Sequence, residues 1–343
     1  LVAVASFLQF SFCHPFMVTS LLWWVIYHCA RMPKHLIKSL LLIPSVIAVF
    51  SSVYRTKPDI VHLFWGHYPS MVGYLTKKYM PNTIVSLFVG AHDLISGYPG
   101  SVQFSRNADL IFTHSKSNLP MMGAMGYEVS RVNVILRGIK LTPLEDHTLT
   151  KFTKTSIPIF LTAGRLIEEK GFDDVIYIFR DIFEKYPTAT LYIAGDGPHR
   201  PYLERLTISL GLERNVVFIG HVCQAELKGY MSKAGFFLLM SRYLSERLPN
   251  VVKEAMDQRC VVVTTDTVGI EELIDHTVDG YIVNKGDRDS ARTYLYRCLF
   301  DIESAQYIVN CAHQKIVDKF DVNISMKSYL NHWQGIIDRN RSL

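Results

Sequence analysis

At 343 residues, 49% of them hydrophobic, the chain is too long for one ordinary core and apolar enough to build two. Its 36 basic and 31 acidic residues leave a net charge of +5, placed unevenly: residues 1–140 carry 12 Lys/Arg against 4 Asp/Glu, and residues 141–343 carry 24 against 27. The basic residues lack recognition-motif spacing, which argues against a nucleic-acid reader, and Cys and His show no C-x-x-C or H-x-x-x-H pattern, so neither a metal centre nor a disulfide framework is expected.

Residues 1–30 hold no charged side chain. Ser11 and His14-Pro15 interrupt the run, and Trp23-Trp24-Tyr27-His28 suits an interface better than a hydrocarbon centre. The run is read as a buried or interfacial helix over about 15–30. It has no basic n-region or small-residue cleavage site, so it is not read as a signal peptide. Arg31, Lys34, His35 and Lys38 then recur at helical spacing among Leu36, Ile37, Leu40 and Leu41, and no acid precedes Asp59. This predicts an amphipathic helix whose basic face suits an anionic membrane surface.

From there strands and helices alternate, the pattern of a parallel α/β architecture. Strands are expected near 59–64, 83–88, 109–113 and 132–136, and helices near 69–80 and 116–125. The turn-rich stretch Arg137 to Pro143 sets a boundary between a first domain, 1–140, and a second, 141–321. The second half predicts strands near 157–162, 189–194, 215–219, 235–240, 260–264 and 281–283. Its helices fall near 171–186, 199–211, 249–258 and 288–301. A last helix from 322 carries Met326, Tyr329, Leu330, Trp333 and Ile337 at helical spacing, so one side is buried.

Two stretches concentrate chemistry. Ile159 to Ala163 reads as a strand that ends at Gly164, which frees the turn, and Arg165 and Lys170 place two cations at its carboxyl end. Further on, Glu246 and Glu254 stand eight residues apart across Pro249-Asn250, a helix start. The free N–H groups of Asn250 and Val251 at that start suit a phosphate, and the two carboxylates suit hydroxyls. A nucleotide-sugar has that layout.

Gly164-Arg165 with Lys170-Gly171, then Ala194 to Pro198 including Gly195, then Val217 to Gly220, the Glu-x7-Glu segment and Gly269 to Ile274 resemble the retaining GT-B glycosyltransferases of family four. The match is dense from about 157 to 280. It implies two Rossmann-like parallel-sheet domains facing a cleft, with the last helix, 322–343, returning to the first domain. It also implies that Arg165, Lys170 and Glu246 are catalytic, and that Gly164, Gly195, Asn250, Val251 and Glu254 bind the donor. Gly90 to Leu94 resembles the family's His-Gly-x-Asp segment, with Val89 where His is frequent, and makes His92 and Asp93 acceptor-side candidates. His67 is a third, from the strand end that follows His62. The family's leading strand and Gly-rich loop are absent, so the chain reads as a truncated product or a piece of a longer one.

The implied activity is metal-independent, cofactor-free transfer of a hexose from a UDP- or GDP-linked donor to a lipid-linked or polysaccharide acceptor, with retention of configuration. The setting is cytoplasmic, peripheral on the membrane's inner face. A non-catalytic GT-B subunit that binds nucleotide-sugar or a partner enzyme is the alternative.

Overall fold

The computed structural model describes residues 10–142, 152, 157–243 and 246–341. The first nine residues of the apolar run, and Pro143 of the boundary stretch, lie outside them. The chain divides into two compact units, Leu1–Leu136 with Met326–Leu343, and Arg137–Ser325.

The first unit opens with helices α1 (Pro15–Cys29) and α2 (Pro33–Thr56), each started by a proline in its first turn. Arg31 lies in the turn between them rather than on the basic helix, because Pro33 fixes the helix start two residues later. The helix then runs on to Thr56, well past the predicted stretch. By length and composition α2 is apolar enough to cross a membrane, and 33% of its most apolar window is buried inside the unit. Strand β1 (Ile60–Leu63), helix α3 (Ser70–Tyr79), strand β2 (Ile84–Phe88), the short helices α4 (Ala91–Ser96) and α5 (Pro99–Ser105), strand β3 (Leu110–Thr113), helix α6 (Leu119–Met125) and strand β4 (Val132–Val134) follow. The four strands pair in parallel in the order β1-β2-β3-β4.

The second unit is a six-stranded parallel sheet in the order β10-β9-β8-β5-β6-β7. In chain order it runs β5 (Ile159–Ala163), α7 (Phe172–Lys185), β6 (Thr190–Ala194), α8 (Arg200–Ser209), β7 (Val216–Gly220), α9 (Gln224–Lys233), β8 (Phe236–Leu239), α10 (Asn250–Asp257), β9 (Val261–Thr265), β10 (Tyr281–Val283), α11 (Arg288–Phe300) and α12 (Ile302–Lys319). Its strands are near-continuous apolar runs, as a sheet covered on both faces requires. Helices α4, α5, α9 and α12 were absent from the sequence reading.

Helix α13 (Val322–Arg341) packs Tyr329, Trp333 and Ile336 against Phe88, Leu110, Phe112 and Ile135. Met326 and Leu330 of the predicted stripe are instead exposed, since they sit on the neighbouring face. Trp333 Nε1 donates to Ser86 Oγ at 3.0 Å, and Ser86 Oγ also meets His62 Nδ1 at 2.9 Å. His62 is therefore a packing residue, and burial pushes its pKa down to about 4. An unfolded His62 titrates near 6.5, so its contribution is whole above that pH and drains away as pH falls towards 4, where the loss reaches about 3 kcal/mol. His62→Phe is expected to flatten the urea-unfolding free energy across that window while losing about 1 kcal/mol at pH 7 with the Ser86 bond. An unchanged slope would show that His62 titrates normally in the fold.

Candidate functional site

From β5 the second unit adds β6 and β7 on one side and then returns to add β8 on the other. Strand order reverses between β5 and β8, and parallel sheets bind ligands beyond the strand carboxyl ends at such a point. Gly164, Arg165 and Lys170 follow β5, and Glu246 precedes α10 after β8. A cavity of about 370 Å³ opens there, its wall including Gly164, Arg165, Gly195, Asp196, His221 and Val251.

Backbone contact shapes this wall. Gly195 has φ 131°, and a Cβ on it would lie 1.9 Å from the Gly164 carbonyl oxygen. Gly171 has φ 66°, and a Cβ there would lie 2.0 Å from the Met240 oxygen. Neither contact admits a side chain.

Lys170 Nζ donates to Glu246 Oε2, which also accepts from Ser241 Oγ at 3.1 Å. The same ammonium lies 5.8 Å from the Tyr243 ring centroid. Just after β8, Arg242 bonds Asp173 at 2.9 Å and also the buried Asp174, itself held by Arg288 at 2.6 Å. Pro249 caps α10 without a side-chain bond, leaving the N–H groups of Asn250 and Val251 at the helix start outside the intrahelical ladder. Glu254, one turn inside, is 5% exposed and accepts from Gln224 Nε2 at 2.8 Å. Gly164, Arg165, Gly195 and Val251 thus share one wall, Lys170 joins Glu246, and Glu254 is held by α9.

His67, His92 and Asp93 form a separate cluster on the first unit, at the carboxyl ends of β1 and β2. Buried Asp93 meets His67 Nδ1 at 2.7 Å, accepts the His67 backbone N–H at 3.1 Å and takes the Gly90 N–H at 2.8 Å. It therefore both caps α4 and orients His67. The His92 ring centroid is 6.2 Å from that of His67, and the Trp65 ring centroid is also 6.2 Å from it. Trp65 and Phe64 are part-exposed beside Phe88.

Sequence reasoning missed His221, Asp196, Gln224 and Tyr243. The first two directly follow strand ends already singled out, so position alone marks them. Gln224 opens a helix that was not read.

Residues 150–315 match the family described as glycosyl transferases group 1. The second unit belongs to that family. Among curated relatives, the chain is 34% identical over 173 residues to the glycosyltransferase MJ1607 of Methanocaldococcus jannaschii, covering 50% of this chain and 44% of that one. It is 23% identical to LpsE, a lipopolysaccharide core biosynthesis glycosyltransferase of Rhizobium meliloti, over 80% of this chain and 76% of the relative. The figures for AmsK, an amylovoran biosynthesis glycosyltransferase of Erwinia amylovora, are 26%, 84% and 72%. The chain thus spans under half of the first relative and about three quarters of the other two. Among solved structures, Anabaena Alr3699/HepE in complex with UDP superposes with a TM-score of 0.70 at 19% identity, covering 88% of this chain and 83% of that one. The fold is accordingly GT-B, with two parallel-sheet units.

The glycine contact gives a direct test. Gly195→Ala forces the Gly164 carbonyl aside and is expected to destabilise the protein by about 2–4 kcal/mol. A melting temperature equal to that of the wild type would show that the two strand-end loops do not touch.

Proposed function

We propose that this glycosyltransferase moves a hexose from a UDP- or GDP-linked sugar to a lipid-linked or cell-surface polysaccharide acceptor with retention of configuration. The observation that carries the reading is the joining of Lys170 and Glu246 from the two strands that flank the sheet's switch point, beside a cavity walled by Arg165. The relatives' names support a polysaccharide product, and HepE has been solved with UDP and with UDP-glucose.

Arg165 and Lys170 neutralise charge that develops on the leaving diphosphate, with help from the N–H groups at the start of α10. Glu254 receives the ribose hydroxyls and Glu246 orients the hexose; among the described residues each has one oxygen bonded, Glu246 Oε2 to Lys170 and Glu254 Oε1 to Gln224. The sugar–phosphate bond breaks as the acceptor oxygen bonds the anomeric carbon on the same face, and the acceptor proton passes to the departing phosphate oxygen. Two fixed cations stand in for a divalent ion, so no metal is assigned. On the first unit, Asp93 holds Nδ1 of His67, so Nε2 faces an acceptor hydroxyl, with Trp65 and His92 alongside.

The screen of choice is thermal stabilisation by UDP-, GDP- and ADP-sugars, with and without EDTA. One class is expected to stabilise the fold by about 2.7 kcal/mol at roughly 100 times its dissociation constant, EDTA making no difference. In assays with that donor, Lys170→Ala should lower turnover about 100-fold or more while donor binding weakens far less, because the cation acts as the bond breaks. No stabilisation by any nucleotide-sugar would remove the donor reading, and wild-type turnover in Lys170→Ala would make that residue a loop tie.

The membrane belongs to the same proposal. Phe16, Trp23 and Tyr27 are 84%, 72% and 80% exposed along one side of α1, and Phe12, just before it, is 90% exposed. Helix α2 adds exposed Ile37 and Leu41 beside Lys34 and Lys38. Aromatic rings of this kind settle at the headgroup level, with lysines against anionic lipid. The protein should float with anionic vesicles and detach as salt shortens the field to about 8 Å. Flotation that ignores both lipid charge and salt would replace surface attachment by insertion of α2.

A further inference from the structure

Lys253 is wholly buried on α10, the helix that begins at the proposed phosphate site. Its Nζ donates to the Arg137 carbonyl at 2.7 Å and to Asn250 Oδ1 at 3.3 Å, and lies 5.4 Å from the Phe320 ring centroid. Both hydrogen-bond partners are neutral. Burial, then the Arg137 guanidinium, pushes the amine's pKa down to about 7, against the opposing pull of Glu254 on its own helix. Elsewhere on α10, Asp257 lies 3.8 Å from His313 of α12, and burial raises the pKa of the acid and lowers that of the imidazole, so both lean towards their neutral forms.

Arg137 and Phe320 stand where the chain enters and leaves the second unit, and those two segments are paired. Ile139 N donates to Phe320 O at 2.8 Å, Val322 N to Ile139 O at 2.9 Å, and Gly138 N to Ser325 Oγ at 2.9 Å. A Cβ on Gly138 would lie 2.6 Å from the Asp321 carbonyl, so the two backbones touch.

We propose that Lys253 is a positioning residue that couples the phosphate end of α10 to the paired segments by which the chain enters and leaves the second unit. The coupling rests on the donor-site reading above. A neutral amine has two N–H groups and finds two acceptors here. The ammonium binds the same acceptors more strongly. A diphosphate at the start of α10 favours the ammonium, so donor binding draws a proton onto Lys253 and tightens its hold on the Arg137 carbonyl.

Hydrogen exchange at the Ile139 and Val322 amides reads this directly. Lys253→Met keeps the buried volume without the donor, and burying an apolar group there costs the fold little. The variant is expected to exchange at least ~10-fold faster at both amides, with β9 unchanged, which corresponds to about 1.4 kcal/mol of opening free energy. The wild type alone gives a second reading: an opening that frees Lys253 restores its ordinary affinity for a proton, so after correction for intrinsic rates protection at the two amides falls as pH drops towards about 7 and levels off below it. Calorimetric titration of UDP and of GDP, each in two buffers of different ionisation enthalpy, should show proton uptake near pH 7 for the nucleotide that binds the wild type and none in Lys253→Met. Equal exchange in the two proteins, or a wild-type profile flat with pH, overturns the coupling. Failure of both UDP and GDP to bind while exchange still differs removes the donor reading and leaves Lys253 holding the paired segments.

Discussion

Position 195 has no room for a side chain, and the rest of the site follows from that. The ends of β5 and β6 approach until the Gly195 α-carbon almost rests on the Gly164 carbonyl. Gly171 does the same against Met240, closing the end of β5 on that of β8. Strand ends brought together by backbone leave their side chains to point outward and around, so Arg165 enters the cavity wall and Lys170 crosses to Glu246. Larger residues at 171 and 195 would hold these loops apart and separate the charges. The glycines position the cations, and the cations make the cavity fit for an anion.

The two carboxylates that flank the start of α10 are already engaged. Glu246 is held by Lys170 and Ser241, and Glu254 by Gln224. A buried acid without such partners would shift towards its neutral form and lose value as an acceptor of hydroxyl hydrogen bonds. A ligand that offers hydroxyls therefore meets oriented acceptors and little rearrangement. The Arg242–Asp173–Asp174–Arg288 network ties the chain just after β8 to α7 and α11.

Legibility followed periodicity. Buried parallel strands are short apolar runs between turn residues, so Ile84–Phe88, Ile159–Ala163 and Val261–Thr265 stand out in the bare sequence. Helix α9 does not, because it is polar nearly throughout, with only Met231 and Ser232 buried and a cysteine at its cap. In α12 the buried stripe is Ala305, Ile308, Val309, Ala312 and Ile316, and its alanines soften the contrast between faces. At the site, Arg165, Lys170, Glu246 and Glu254 could be placed at strand or helix ends by local pattern. Their partners could not. Gln224 reaches Glu254, and Asp93 reaches His67, only because their elements are neighbours in space. Lys253 reads as a solvated helix residue, since nothing local says that its side of α10 faces inward.

That inward face explains how α10 is held. The helix is eight residues long, too short to persist alone, and six of the eight are buried, among them Lys253, Glu254 and Asp257. Asp257 is fully buried, its Oδ1 has no hydrogen-bond partner among the described residues, and burial raises its pKa. Three ionisable groups in one short buried helix work against its stability. What keeps it in place is the packing of Val252, Ala255 and Met256 in the interior, with Lys253 clasping the Arg137 carbonyl. A helix secured from outside itself responds to whatever binds at its exposed end. The local rules of burial are broken most densely along the element that carries the proposed phosphate contacts, which is where function rather than folding sets the choice of residue.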